Sequence, residues 1–158
     1  MTTADSNRHT TNSRLINASP EQIYRAFTDP GALAVWQAPG EMTGLVHNFD
    51  LRIGGGYSMS LFYPLDQAGR GKTSDREDRF TAKFLELTPF KRIIESITFH
   101  STDSAYSGMM FMVVLLAEAP QGTEVTIQFE NIPLGIRPAD NEIGTQSSLE
   151  KLEQYLLR

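Results

Sequence analysis

The chain has 158 residues, no cysteine and a formal net charge of −5, with 40% hydrophobic and 21% charged residues. This size and composition indicate one globular domain that can bury a sizeable core without disulfides. The acidic balance, with no Lys/Arg block, argues against nucleic acid and anionic membrane surfaces as partners, and the lack of cysteine excludes thiolate nucleophiles and cysteine-based zinc sites.

The N-terminal segment is polar and shows no periodicity. We therefore predict a disordered tail over residues 1–12 and a single domain over residues 13–158. The tail lacks the apolar core of a secretory signal, and no apolar run in the chain approaches the ~20 residues needed to span a bilayer. We expect a cytoplasmic protein.

The first regular elements are predicted to be a strand and two short helices. A strand is expected over Arg14 to Ala18, and Ser19-Pro20-Glu21-Gln22 has the form of a capping box with proline at the first helical position. Asp29-Pro30-Gly31 ends that helix, and a second short helix should carry Leu33 and Trp36.

From Met42 to Pro133, alternating apolar and polar residues predict strands joined by short turns, which implies an antiparallel sheet. The alternation places one set of side chains on the inner face: Tyr57, Met59, Leu61, Phe80, Ala82, Phe84, Val125, Ile127 and Phe129. The run from Met109 to Leu116 is apolar throughout, so alternation alone does not show which set of alternate residues faces inward.

The last segment, Pro138 to Arg158, has the pattern of a long helix. Leu149, Leu152 and Leu156 form an apolar stripe, but the same face carries only small or polar residues toward its N-terminal end, namely Gly144, Thr145 and Ser148. A helix that covers a solid core stays bulky along its inward face. The pattern therefore predicts space beneath the first two turns, unless large side chains of the sheet fill it.

Several segments, in this order, resemble the START-like superfamily of helix-grip folds, and within it the bacterial group named after the activator of the heat shock protein 90 ATPase. The matching segments are ASPEQIYRAFTDPGALAVW at 18–36, FDLRIGGGY at 49–57, ELTPFKRII at 86–94, GTEVTI at 122–127 and the glycine, serine and leucines of 144–152. Relatives often have Gly-Trp where this chain has Gly144-Thr145. The additional N-terminal domain of the eukaryotic cochaperones does not fit into this length, so chaperone activation does not follow from the resemblance.

The resemblance implies an α+β helix-grip fold, in which a curved antiparallel sheet wraps around a long C-terminal helix and two short helices follow the first strand. It also implies a cavity between sheet and helix, and it favours Met110, Met112, Val114 and Leu116 as the inward residues of their strand. With the alternation, it predicts a cavity lined by Trp36, Phe49, Tyr57, Met59, Leu61, Phe80, Phe84, Glu95, Ile97, Met110, Met112, Gly144 and Ser148.

Glu95 is the polar residue of most interest, because it shares the inward parity of Ile93 and Ile97. A buried carboxylate must be paired, protonated or in contact with a wet cavity. Glu95 is therefore either a polar anchor or general acid/base with a raised pKa, or an edge residue in a structural ion pair. Trp36 is either a lid over the cavity or a plug at one end of the sheet.

The other polar residues suggest no further chemistry. His9, His47 and His100 lack metal-ligand spacing, Gly54-Gly55-Gly56 lacks the Lys-Ser/Thr of a phosphate-binding loop, and no Ser-His-Asp arrangement can be assembled. We expect no metal and no cofactor.

The residues that alternate with the inward-facing set of the sheet face outward, and several of them are apolar. Such a patch usually marks an interaction surface, and we predict a homodimer formed through Phe62, Met109, Phe111, Val113 and Leu115.

Three hypotheses of function follow. The first is non-catalytic binding of a small apolar molecule in the cavity. The second is an enzyme of cyclase or hydrolase type with Glu95 as general acid/base. The third is a protein-interaction module, such as a chaperone partner, that uses the outer apolar face.

Overall fold

The computed structural model describes residues 8–67 and 69–157. The elements of these residues, in chain order, are β1 (Thr10–Ile16), α1 (Pro20–Phe27), α2 (Pro30–Trp36), β2 (Thr43–Asp50), β3 (Gly56–Phe62), β4 (Glu77–Thr88), β5 (Arg92–Phe99), β6 (Met110–Ala119), β7 (Gly122–Glu130) and α3 (Pro138–Leu156).

The strands form one antiparallel sheet in the order β1-β7-β6-β5-β4-β3-β2. Consecutive strands from β2 to β7 are neighbours, and β1 joins the far edge beside β7. The helix α3 lies against β1, α1 and α2 and buries its inward face. This is the predicted α+β helix-grip architecture, which is confirmed. None of the described helices is long and apolar enough to cross a membrane.

The strand β1 begins earlier than the sequence predicts. Thr10 pairs with Phe129 and Ile16 with Thr123, so residues 10–12 belong to the sheet and not to a disordered tail. These residues are polar, but Thr10 and Asn12 are buried and Thr10 donates a hydrogen bond to Asn141 of α3. A long-range partner therefore orders a segment that has no apolar pattern of its own. Residues 1–7 of the predicted tail lie outside the described residues.

The two short helices begin as predicted. Ser19 caps α1 by accepting a hydrogen bond from the Gln22 backbone N–H at 3.1 Å, and the Gln22 side chain accepts one from the Ser19 backbone N–H at 2.9 Å. Asp29 caps α2, which carries Leu33 and Trp36 into the core. The predicted capping box and the second helix are confirmed.

The inner face of the sheet carries the predicted residues. Met110, Met112, Val114 and Leu116 are buried, which settles the parity of β6. The remaining buried inward side chains of the sheet include Tyr57, Met59, Phe80, Phe84, Ile93, Ile97, Val125 and Ile127. The core therefore lies between this face and the three helices.

The outer apolar face is smaller than predicted. Phe111, Val113 and Leu115 are half-buried on β6, and Met109 before them is 47% exposed. Phe62 does not join them, because it lies on β3 opposite Thr43 and Glu77, with β4 and β5 between it and β6. The prediction of one continuous patch is wrong for Phe62, since shared parity does not make residues on distant strands neighbours. The homodimer stays a prediction that concerns the β6 residues alone.

Candidate functional site

A cavity of about 950 Å³ lies between the inner face of the sheet, the end of α2 and the first turns of α3. Its volume falls within the range of ~300–1,000 Å³ that small-molecule sites occupy. Its apolar wall on the sheet side includes Leu61, Phe80, Ile97, Phe99, Met110, Met112, Ile127 and Phe129. Gly144, Thr145 and Ser148 of α3 cover it from the other side.

The small residues of α3 explain why this space is open. Thr145 and Ser148 are buried, but their side chains are short and their hydroxyls bond to backbone oxygens: Thr145 to Asn141 at 2.7 Å and Ser148 to Gln37 at 2.8 Å. One turn later Leu149 and Leu152 fill the interior. The structure thus has the space beneath the first turns that the sequence pattern predicts.

Eight of the predicted lining residues do line this cavity. They come from α2, four strands and α3: Trp36, Leu61, Phe80, Ile97, Met110, Met112, Gly144 and Ser148. Their contact with a ligand stays a prediction.

The other five predicted lining residues, Phe49, Tyr57, Met59, Phe84 and Glu95, do not line the cavity, and this part of the prediction is wrong. The reason is aromatic packing. The rings of Phe49 and Tyr57 stack with centroids 5.6 Å apart, and the rings of Tyr57 and Phe84 lie 5.8 Å apart. This cluster fills one end of the concave face of the sheet. Inward-facing side chains at that end therefore belong to the packed core and do not line the cavity.

Glu95 is buried, as its parity predicts, with 1% of its surface exposed. Its Oε1 accepts a hydrogen bond from the Tyr57 hydroxyl at 2.9 Å, and its Oε2 has no partner among the described residues. Burial raises the pKa of Glu95 to about 7, against an opposing effect of the Tyr57 hydrogen bond. Glu95 does not line the cavity, and its role as a polar anchor or general acid/base stays a prediction.

Tyr57 lies between Glu95 and Gln37, and Gln37 is a residue of the cavity wall. Burial first, and then the charge of Glu95, raise the pKa of Tyr57 well above its usual value, while a hydrogen bond from the Gln37 side chain opposes this shift. Gln37 lines the cavity, and its Oε1 is buried without a partner in the described structure. Gln37 could not be predicted from the sequence, because it follows the last turn of α2, where helix periodicity no longer indicates which way a side chain points.

Trp36 both lines the cavity and belongs to the core. It is 1% exposed, its Nε1 donates to the Ala26 backbone oxygen at 2.9 Å, and its ring meets that of Phe27 with centroids 4.7 Å apart. These contacts fix the indole, so it is a wall residue and not a movable lid.

A charged cluster lies at the end of the cavity where the connection from β3 to β4 passes. Asp78 faces inward from β4 with 3% exposure and accepts a hydrogen bond from Lys72 Nζ at 2.7 Å. The pKa of Tyr63 is raised to about 12 by burial and then by Asp78. The Arg70 guanidinium lies 5.0 Å from the centre of the Tyr63 ring. Asp78 lies two positions before Phe80 and therefore on the same face of β4. This spacing is the signal from which an inward-facing Asp78 could have been predicted.

Two observations on polar side chains bear on metal and catalytic chemistry. Among the described residues, no group of three or more His, Cys, Asp or Glu side chains could hold a metal ion. On the outer face, Ser60 Oγ lies 2.7 Å from His47 Nε2 and donates to Glu77. The carboxylate therefore contacts the serine and not the histidine, and Ser60 is fully buried, so this arrangement does not activate a nucleophile.

Comparison with solved structures places the fold among known bacterial proteins. A crystal structure from Chromobacterium violaceum has 32% identity and a TM-score of 0.83, with 96% of this chain and 98% of that chain covered. A Rhodobacter sphaeroides protein has 18% identity and a TM-score of 0.76 over 96% and 93% of the two chains. An AHSA1-like protein of Aeromonas hydrophila has 21% identity and a TM-score of 0.69 over 94% and 92%.

No curated protein is significantly similar to this chain in sequence. Residues 17–157 match the family described as Activator of Hsp90 ATPase homolog 1-like protein. The resemblance drawn from the sequence is thereby confirmed. Since the match runs from the end of β1 to the end of α3, the chain belongs to this family of the START-like superfamily.

Proposed function

We propose that the protein binds a small, largely apolar molecule in the cavity beneath α3 and does not transform it. The observation that carries this proposal is the cavity itself, about 950 Å³ and lined by side chains of the sheet and by the small residues of α3. Transfer of an apolar molecule from water to such walls is favourable by roughly 25 cal/mol per Å² of apolar surface removed from water.

The polar groups of the wall support a binding role. The hydroxyls of Thr145 and Ser148 and the indole N–H of Trp36 already bond to backbone oxygens, so an apolar ligand beside them leaves no donor unsatisfied. The enzyme hypothesis needs Glu95 within reach of a substrate, and Glu95 does not line the cavity. The cytoplasmic location, the homodimer and the chaperone partner stay predictions.

Titration with the neutral fluorescent dye N-phenyl-1-naphthylamine tests the proposal. Thr145→Trp puts a large ring beneath the first turns of α3, and we expect the Kd for the dye to rise at least about tenfold, because cavity volume is lost. Gln154→Trp is the matched control, since Gln154 is exposed on the same helix and does not line the cavity.

The dye is excited outside the tryptophan absorption band, and urea unfolding verifies that both variants are folded. Equal Kd values for the wild type and Thr145→Trp would place the dye elsewhere and contradict the proposal. Absence of saturable binding to the wild type would contradict it as well.

A further inference from the structure

The ammonium group of Lys72 occupies a box made of one carboxylate and two aromatic rings. Its Nζ lies 2.7 Å from Asp78 Oδ2 and 5.7 Å from the ring centres of both Phe99 and Tyr106. All four residues line the cavity. Aromatic faces combined with a negative charge are the chemistry by which proteins recognise organic ammonium ions.

The carboxylate of this box needs a cation. Asp78 is 3% exposed, and a buried charge is costly unless it is paired and hydrogen-bonded. It accepts hydrogen bonds from the Lys72 backbone N–H at 2.6 Å and from the Lys72 ammonium at 2.7 Å. If the ammonium group of Lys72 leaves, the Lys72 backbone N–H remains as a neutral donor and the charge of Asp78 is uncompensated.

The cation is the replaceable member of the box. Asp78 and Phe99 stand on the strands β4 and β5, whereas Lys72 lies on the connection between β3 and β4. The Lys72 side chain is long and 17% exposed, so it has a route to solvent. Its backbone N–H bond to Asp78 keeps the connection in place when the side chain departs.

We propose that this box is the head-group site of the cavity and that the ligand is an amphipathic organic cation. Its ammonium group replaces that of Lys72 beside Asp78, Phe99 and Tyr106, and its apolar body lies against Phe80 and Met110. The assignment rests on the proposed function, because the apolar body needs the cavity. In the unliganded protein, Lys72 acts as an internal competitor for the site.

The buried carboxylate of Asp78 favours a cation over an anion at the position of the Lys72 ammonium, although Arg70 also lines the cavity. The Lys72 charge is already neutralised by Asp78, so an anionic head group would meet a buried carboxylate next to its intended partner. The formal net charge of −5 also attracts cations to the protein as a whole.

Three probes with the same chain and different head groups test the proposal: decyltrimethylammonium, decanol and decanoate, each below its aggregation concentration. Their affinities are measured by displacement of N-phenyl-1-naphthylamine. We expect the wild type to bind the ammonium probe more tightly than decanol, and decanoate most weakly. Lys72→Met should tighten binding of the ammonium probe about tenfold, as expected when a competitor that fills the site most of the time is removed.

Lys83→Met is the matched control, because Lys83 is an exposed lysine on the outer face of β4 and does not line the cavity. It should leave all three affinities unchanged. Phe99→Leu should weaken binding of the ammonium probe more than binding of decanol, because it removes one aromatic face and keeps an apolar wall.

If Lys72→Met weakens decanoate and does not tighten the ammonium probe, Lys72 is itself the binding group for an anion and the proposal is overturned. If decanol displaces the dye but the wild type shows no preference for the ammonium probe, the head-group assignment fails and the proposed function stands. If the dye does not bind at all, the proposed function fails, and with it this inference.

Discussion

Glu95 should make the stability of the protein depend on pH. Burial raises its pKa from 4.5 to about 7 in the folded protein. Between these two values the folded state holds a proton that the unfolded state has released, so the free energy of unfolding falls as pH rises. The difference of about 2.5 pKa units, at about 1.4 kcal/mol per unit, corresponds to about 3 kcal/mol once the pH exceeds 7.

Glu95→Gln isolates this effect. The amide has the shape of the carboxylate and retains an oxygen that can accept the hydrogen bond from Tyr57, but it carries no charge. The variant should therefore be more stable than the wild type by up to about 3 kcal/mol at about pH 8. The advantage should shrink to about 1 kcal/mol at pH 5 and vanish only below the unfolded pKa of 4.5.

Urea unfolding at several pH values between about 5 and 8 measures the difference. Glu118→Gln is the control, because it removes one exposed carboxylate at the end of β6 without changing the interior. A difference between the wild type and Glu95→Gln that is constant across this range would refute the argument. An advantage of the variant that grows toward low pH would refute it too, since this requires the opposite shift of the pKa.

Two further predictions concern the core and a turn. Leu152→Ala should lower the free energy of unfolding by about 2–5 kcal/mol, because Leu152 is fully buried on the inward face of α3. Glu150→Ala on the exposed face of the same helix should change it by less than about 0.5 kcal/mol in the same urea titration. Gly122→Ala should lower the melting temperature more than Gly54→Ala, because a Cβ at Gly122 would lie 2.1 Å from the Ile16 oxygen, while none of the described atoms lies within 4 Å of one at Gly54. Both glycines have positive φ, so equal melting temperatures would contradict the steric argument.

Much of the fold could be predicted from the sequence because its signals are local. The alternation in β4 and β7 identifies the buried face of each strand, and the residues 19–22 are sufficient to place the start of α1. The start of β1 could not be predicted in this way. Its polar residues are ordered by β7 and by Asn141 of α3, which lie more than a hundred positions away in the chain.

The cavity could be predicted only in part. Parity shows that Tyr57 and Phe80 face the same side, but it does not show that the ring cluster around Tyr57 closes one end while Phe80 borders open space. The box around Lys72 was missed because that residue lies in a connection without periodicity. Its role depends on Asp78 and on rings from two other segments, which only the folded chain brings together.

The most direct test of the central claim is NMR with the methionine methyl groups labelled with carbon-13, in the presence of the neutral dye N-phenyl-1-naphthylamine. Met42, Met110 and Met112 line the cavity, Met59 is fully buried outside it, and Met109 is exposed at the start of β6. We predict nuclear Overhauser effects between the dye and the methyl groups of the first three residues, and none to Met59 or Met109. Contacts with Met109 or Met59 in place of Met110 and Met112 would contradict the claim that this cavity holds the ligand.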